Sequence, residues 1–496
     1  MSMAFPGIPP APPPAEPVLA TAVILHREGA GGREVFLVRR GKDLRFAGGW
    51  HAFPGGRLDP ADRAVEVAGA SGEQAALVSC AIRECFEETG VLLARGRARL
   101  GGAEREAARR ALLDGSLAWD ALLSRHGLAL DPAPFVPAGR WVTPEHLPLR
   151  YDARLFLVRI PEGETPVVWP GELADGALVE AAEALRGWAR GDLLLHPPNL
   201  HALRVLAAPG PVDVARLRDP PQRDGPVSRR IEFQGGFFLA ALRSPTLPPA
   251  THTNCWLVPD GDGLALVDPG SPEPGEQARL LALLDELAAE GRPATAVWLT
   301  HAHPDHVGAV SALAASRRLP VRAHPLAAGR LPGVRIEPLR EGDLLGGRFR
   351  VLETPGHARE HLTFHDERTG ALVCGDMLST LSTIVIDPPE GDMAEYVRQL
   401  ARLERLGART LYPGHGPPAP DAPGRLAAYL EHRRAREALV LEALGEEGSL
   451  AEITARAYAD TPEAIHPVAA RSCLATLEKL RAEGRAFGSD GRWRAA

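Results

Sequence analysis

The sequence predicts an α/β (α+β) chain of several domains, and three observations predict it. Its 496 residues exceed what one compact core usually holds. Short apolar runs alternate with helical periodicity over much of its length. Two proline-rich stretches without periodicity, residues 5–17 and 208–230, mark a leading tail and a linker. Hydrophobic residues at 45% and charged ones at 24% match globular averages, which excludes a disordered or membrane-embedded class. No run of about 18 apolar residues occurs, so no membrane partner is expected. A net charge of -7 argues against a sequence-independent nucleic-acid coat.

The elements follow in order. After a disordered tail, residues 1–17, "VLATAVIL" from Val18 reads as the first strand of a domain spanning 18–207. A second domain, 231–430, alternates "GLALVDPG", "EQARLLALLDELAAE", "TAVWLTHAHPDH", "FRVLETPGH" and "GALVCGDML". A third, 431–496, is mostly helical and ends in two short extended pieces flanking Ser-Asp-Gly, a hairpin signal. Its Leu450, Ile453, Val468, Leu474, Leu477 and Leu480 fall at helical spacing. The five cysteines form no C-x-x-C pair, so buried thiols in a reducing compartment are expected. With no basic-then-apolar leader, a cytoplasmic location is expected.

Two groups of residues carry chemistry. In "AIRECFEETGVLL", Glu84, Glu87 and Glu88 lie at i, i+3 and i+4, so their carboxylates share one helical face. Oxygen-only ligands suit Mg²⁺ or Mn²⁺ held together with substrate phosphates. A solvated acidic helix with Arg83 as ion-pair partner fits the same residues. The opposite face, with Val78, Ile82, Cys85 and Phe86, is apolar and suited to a sheet. In "LTHAHPDHVGAV", His301, His303, Asp305 and His306 place four metal-type ligands in six positions after a strand. His357, Asp376 and His415 each follow a short apolar run beside glycine, at strand ends where a ligand can approach.

Arg83 to Val91 resembles the second half of the Nudix box, and Gly55-Gly56 its beginning. The resemblance implies an α/β/α sandwich, Mg²⁺ or Mn²⁺ on Glu84, Glu87 and Glu88, and Glu87 as the catalytic carboxylate. Asp62 stands where the box has a glutamate, and twenty residues, Arg63 to Ile82, separate it from Arg83. The connecting loop is therefore expected to be enlarged and its activity uncertain. "FLVRRGKDLRFAGGWHAFPGGRLDPAD" resembles the signature of coenzyme A diphosphatases, with Arg40, Arg45, Gly49 and Phe53 in order. Arg40, Arg45, Gly55 and Gly56 are then expected to meet phosphate, with acyl-CoA as substrate. His196 and His201 are not expected to be ligands.

Ile231 to about Pro420 resembles the metallo-β-lactamase superfamily, whose motifs appear in order. That resemblance implies an αββα sandwich with two zinc ions. Asp268 matches the aspartate that orients the metal-binding loop. His301, His303 and His357 match the first zinc site, Asp305, His306 and His415 the second, and Asp376 the bridging carboxylate. Metal-assisted hydrolysis follows, with Asp305 and Asp376 as catalytic carboxylates. His306 steers the comparison from antibiotic hydrolysis toward glyoxalase II-like, phosphodiesterase and ribonuclease members. His361 is either a proton donor or part of the surrounding shell. The last segment resembles the winged-helix domain of the β-lactamase-like protein 2 family of endoribonucleases. The implied function is a two-site hydrolase cleaving a thioester or phosphodiester at one site and acyl-CoA at the other. The alternative is an endoribonuclease-like cleavage of single-stranded RNA, with the first domain as a binding or regulatory module.

Overall fold

The computed structural model describes residues 13–42, 48–169, 172–219, 231–445, 447–489 and 491–496. The chain divides into two compact units, one formed by Pro14–Gly225 with Glu232–Gly235, the other built on Gly236–Ala496.

In the first unit the strands Val18–Glu28 and Arg33–Arg40 are buried on both sides, and their residues alternate between two cores. Val23, Leu25, Phe36 and Val38 meet the apolar face of helix Gly72–Thr89 through Val78, Ile82, Cys85 and Phe86. Ile24, Val35 and Leu37 point the other way, against Ala184 and Trp188 of helix Ala181–Arg190 and Leu200 and Leu203 of Pro197–Leu206. A period of two in the strands and helices on both faces give the α/β/α sandwich. The sheet runs His51–Ala52, Arg33–Arg40, Val18–Glu28, Tyr151–Arg159, Val136–Val142, with Leu173–Glu180 also paired to Arg33–Arg40. The third and fourth of these are parallel, from Val18 opposite Tyr151 to His26 opposite Arg159.

Two expectations change here. The twenty residues after Asp62 are not an open loop, because from Gly72 onward they extend the acidic helix. Ala75, Ala76, Leu77 and Val78 are buried there, so apolar packing favours helix over loop. The expected linker 208–230 is also not loose in its first part. Helix Val214–Arg218, capped by Asp213, buries Leu217 in the unit's core; residues 220–230 lie outside the described ones.

The second unit packs two sheets face to face. The first runs Ile336–Pro338, Val321–Ala323, Ala294–Trp298, Gly263–Val267, His252–Asp260, Phe237–Arg243. The second runs Leu344–Leu345, Phe349–Glu353, Leu362–Asp366, Ala371–Gly375, Thr410–Pro413, Ala419–Pro420. Aromatic rings fill the space between them: Trp298 lies 5.4 Å from Phe349 and 5.5 Å from Phe364, and Tyr412 lies 4.8 Å from Phe237 and 5.0 Å from Trp256. Helix Pro274–Ala289 covers the first sheet through Leu280, Leu283, Leu284 and Leu287. Helices Met393–Glu404 and Ala422–Ala443 cover the second through Tyr396, Leu400, Leu426 and Tyr429. This is the αββα order that the sequence implied.

Helices Leu450–Ala457 and His466–Ala482 and the hairpin Ala486–Ser489 with Arg492–Ala495 close the chain. Ile453, Cys473, Leu477, Leu480 and Trp493 form their core with Val440 and Leu444. The expected junction at 430/431 falls inside the continuous helix Ala422–Ala443, which serves both cores. All five cysteines are free and buried. Among the described residues, no helix is long and apolar enough to cross a membrane.

Candidate metal centres

The His/Asp cluster forms where the strands of the two sheets end. His301 and His303 follow strand Ala294–Trp298, Asp305 and His306 sit on the single-turn helix Pro304–Val307, Asp376 follows Ala371–Gly375, and His415 follows Thr410–Pro413. His303 Nδ1 lies 3.1 Å from His301 Nε2 and 3.0 Å from His357 Nε2, so three imidazole nitrogens converge. Asp305, His306 and His415 form a second group, with Asp305 Oδ2 3.4 Å from His415 Nε2 and 3.8 Å from His306 Nε2. Asp376 stands between them. Its Oδ2 is 3.6 Å from His357 Nε2, and its Oδ1 is 3.4 Å from His306 Nε2 and 3.5 Å from His415 Nε2. The seven residues expected as ligands are therefore all brought together.

The outward nitrogen of each imidazole is held. His301 Nδ1 meets Thr300 Oγ1 at 2.9 Å, His306 Nδ1 meets Asp268 Oδ2 at 2.9 Å, His357 Nδ1 meets the Val385 carbonyl at 2.9 Å, and His415 Nδ1 meets the His252 carbonyl at 3.0 Å. His303 Nε2 faces Glu390 Oε1 at 3.3 Å, and Arg330 holds that carboxylate at 2.5 Å. Such contacts fix which nitrogen points inward. Asp268 adopts a left-handed conformation, φ 54°, directly after strand Gly263–Val267. Its carboxylate there also accepts from Thr300 N at 2.8 Å and Thr300 Oγ1 at 2.6 Å. Gly414 lets the backbone approach closely, since a Cβ there would lie 2.6 Å from Asp376 Oδ1 and 2.7 Å from the His306 ring.

The electrostatics fit divalent cations. Burial, helped by neighbouring imidazoles, holds His301 well below its ordinary value and His357 at about 4, so both present neutral ligand nitrogens. Burial alone would also lower His306, but Asp376, Asp305 and the bond to Asp268 outweigh it and push it well above. Burial would raise Asp376, yet His415 and His306 drive it well below. His306 Nε2 and Asp376 Oδ1 are buried and make no hydrogen bond. Nitrogen and oxygen donors gathered this way suit zinc or a similar ion.

His361 is fully enclosed and already bonded at both nitrogens. Nδ1 lies 2.9 Å from Thr354 Oγ1, and Nε2 accepts from Asp376 N at 3.1 Å. It positions Asp376, and the proton-donor expectation is not supported by this geometry. Glu390, Arg330, Thr300 and Val385 were not singled out in the sequence. Thr300 lies inside the motif but is not of ligand type, while Val385, Glu390 and Arg330 act through a backbone carbonyl or from distant parts of the chain.

The acidic face of helix Gly72–Thr89 is arranged differently. Arg83 Nη1 bridges Glu84 at 3.0 Å and Glu87 at 3.1 Å, while Glu88 turns away to accept from Gly55 N at 2.8 Å. These three carboxylates are not among the groups whose ligand atoms lie within 4.8 Å of one another. Burial raises Glu84 to about 7 and Glu88 to about 8, with Glu87 raised as well. Desolvated, mutually repelling carboxylates of this kind fit a cation with oxygen ligands. A Cβ at Gly56 would meet the Glu84 carboxylate and displace it. Arg40 pairs with Glu172 at 3.1 Å. Arg45 lies outside the described residues. His196 stacks on Trp50 at 4.2 Å and His201 bonds the Arg216 carbonyl at 2.9 Å.

Comparison with known proteins assigns families to both regions. Residues 248–415 match the family model of the Metallo-beta-lactamase superfamily, 449–493 that of the Beta-lactamase associated winged helix domain, and 16–160 that of the NUDIX domain. The Beta-lactamase-like protein 2 homolog of Caenorhabditis elegans is 28% identical over 240 residues, 47% of this chain and 79% of that protein. Lactamase-like protein nscB of Trichophyton rubrum is 31% identical over 244 residues, 46% of this chain and 74% of that protein. A crystal structure of a NUDIX hydrolase from Alicyclobacillus acidocaldarius has 30% sequence identity, covering 42% of this chain and 99% of that one, with a TM-score of 0.38. The chain belongs to the metallo-β-lactamase superfamily of hydrolase folds. It joins that fold to a NUDIX hydrolase domain before it and a winged helix after it, and both hydrolase folds generally bind divalent metals.

Proposed function

We propose that the chain is a two-site metal-dependent hydrolase, with a dizinc centre that cleaves a thioester or phosphodiester and a Mg²⁺- or Mn²⁺-dependent NUDIX site that cleaves the diphosphate of acyl-CoA. The reading stands on Asp376, whose two oxygens face two separate ligand groups, His301-His303-His357 and Asp305-His306-His415. A pair of divalent ions held there supplies an acidified water and a Lewis acid for the scissile bond. The chain's own part is positional. Asp268 and Thr300 fix His306 and His301, while Asp305 and Asp376 would serve as the catalytic carboxylates. In the NUDIX site Glu84, Glu87 and Glu88 hold the cation, with Glu87 as the catalytic carboxylate and Arg40, Arg45 and the Gly55-Gly56 backbone on the phosphates. The domain limits of this reading are 18–207, 231–430 and 431–496, with the helix Ala422–Ala443 shared across the last junction.

The test is a substrate panel of acyl-CoA, nucleoside diphosphate derivatives, simple thioesters and single-stranded RNA, offered to wild type, Glu87→Gln and Asp376→Ala. Glu87→Gln is expected to lose only diphosphate cleavage and Asp376→Ala only thioester or phosphodiester cleavage, each by at least about a hundredfold. Retention of both activities in both variants sinks the assignment. RNA cleavage lost in Asp376→Ala, with thioesters untouched in wild type, selects the phosphodiester substrate.

A further inference from the structure

We infer that Ser472 and Arg433, from the helices of the C-terminal extension, are positioning residues of the metal centre, acting through the segment Ile384–Ile386 on His357. The inference rests on the metal-binding reading above and assigns the winged helix a task inside that site.

The link is a chain of hydrogen bonds. His357 Nδ1 lies 2.9 Å from the carbonyl of Val385, and this contact sets which way its ring faces. Val385 belongs to no helix or strand, so its carbonyl is only as fixed as its neighbours. Those neighbours are held from the C-terminal side. The N–H of Ile384 donates to Tyr429 Oη at 2.9 Å, and the Ile384 carbonyl accepts from Arg433 Nη2. The N–H of Ile386 donates to Ser472 Oγ at 3.1 Å, from helix His466–Ala482. Each of the two peptides flanking Val385 is thus anchored by a side chain from a helix that follows the last expected ligand, His415.

Arg433 is an uncommon choice for a purely structural anchor. Its guanidinium is buried, and among the described residues it makes no ion pair. It is flanked by the rings of Tyr396 at 5.1 Å and Tyr429 at 5.7 Å. Burying an arginine without a carboxylate is costly unless its donors are used. Here a donor is spent on the carbonyl next to the one that orients a metal ligand. Ser472 is also buried, and its hydroxyl is placed on a backbone N–H that no strand partner satisfies. Tyr429 ties the same segment further, accepting from Ser379 N at 3.3 Å and donating to the Ser382 carbonyl at 3.0 Å. The stretch between Asp376 and Glu390, which supplies the bridging carboxylate and the partners of His357 and His303, is therefore held in place by the C-terminal helices.

The experiment is a zinc titration of the metal-free full chain against a chromophoric chelator, for wild type, Ser472→Ala, Ser472→Thr and Arg433→Met. It is repeated with cobalt to read the ligand-field spectrum. Wild type is expected to take up two equivalents. Ser472→Ala is expected to weaken one of them by about tenfold and to shift the cobalt spectrum, in the range seen when outer partners of a ligand are removed. Ser472→Thr, which keeps the hydroxyl, should restore both, and the metal-free melting temperature of Ser472→Ala should stay within a few degrees of wild type. Wild-type affinity and an unchanged cobalt spectrum in Ser472→Ala overturn the inference. Should Arg433→Met not fold, the serine pair decides alone. A wild-type chain that binds no zinc or cobalt overturns the metal-centre reading, and this inference with it.

Discussion

Asp62 shows how much one residue can settle. It is fully buried, and its carboxylate accepts from Arg83 at two points, Nε at 3.0 Å and Nη2 at 2.8 Å. Ser79 Oγ and Asp59 N complete its acceptor sites at 3.3 and 2.9 Å. The bidentate pair anchors the guanidinium whose other arm spans Glu84 and Glu87, so the shorter acid at this position still reaches Arg83. Removing one partner from a buried pair costs about 3–5 kcal/mol because the other is left uncompensated. Arg83 keeps Glu84, Glu87 and the Arg57 carbonyl, so Asp62→Asn should fall at the lower end, about 3 kcal/mol. Urea unfolding measures this directly. A loss below about 1 kcal/mol, the worth of an exposed pair, would mean that Asp62 anchors nothing.

At the scale of the element, helix Gly72–Thr89 is held rigidly, and its acidic face is desolvated and bridged by Arg83. Arg109 closes its C-terminus, donating Nε to the Glu87 carbonyl at 2.8 Å and Nη2 to the Glu88 carbonyl at 2.6 Å, and Gly90 ends it in the left-handed region. The i, i+3, i+4 spacing made this face legible in the sequence, since it depends only on helical periodicity. The ion pair with Arg83 was legible too, but the cap by Arg109 was not, because it depends on how the following helix Gly102–Leu113 packs back onto this one. A cation bound only by the folded helix at a hundred times its Kd adds about 2.7 kcal/mol. Saturating Mg²⁺ should therefore raise the melting temperature of the unit that contains this helix by roughly 5–10 °C. In Glu88→Gln the shift should shrink to near zero. An equal shift in that variant would place the ion elsewhere.

For the molecule as a whole, the alternation of strands and helices gave the two α/β units, and the His-x-His-x-Asp-His run together with three strand-end glycine contexts pointed to the seven clustered residues. What remained hidden were contacts made across long sequence distances, such as Ser472 on Ile386 N, 86 positions apart, and the Glu390–His303 pair. Such contacts carry no local pattern. Partly buried histidines away from the metal site give the first unit a pH dependence of definite sign. His196 is held at about 4, from an ordinary value of 6.5, chiefly by burial and then by the charge of Arg40. His51 and His26 are lowered to about 4 as well, burial again first, with Arg39 and Arg33 adding to it. Each is neutral when folded and takes up a proton when unfolded below about pH 6.5, so its contribution is present above that pH and is lost as pH falls toward 4. For His196 the whole loss is about 3 kcal/mol. Replacing it with phenylalanine keeps a ring against Trp50 and removes the titration. Near pH 5 the stability of His196→Phe should therefore fall less steeply than that of wild type, by about 1.4 kcal/mol per pH unit, the slope of one proton. Parallel slopes for the two proteins in urea unfolding between pH 6.5 and 4.5 would show that His196 is protonated in the fold and that its stacking on Trp50 is made by the cation.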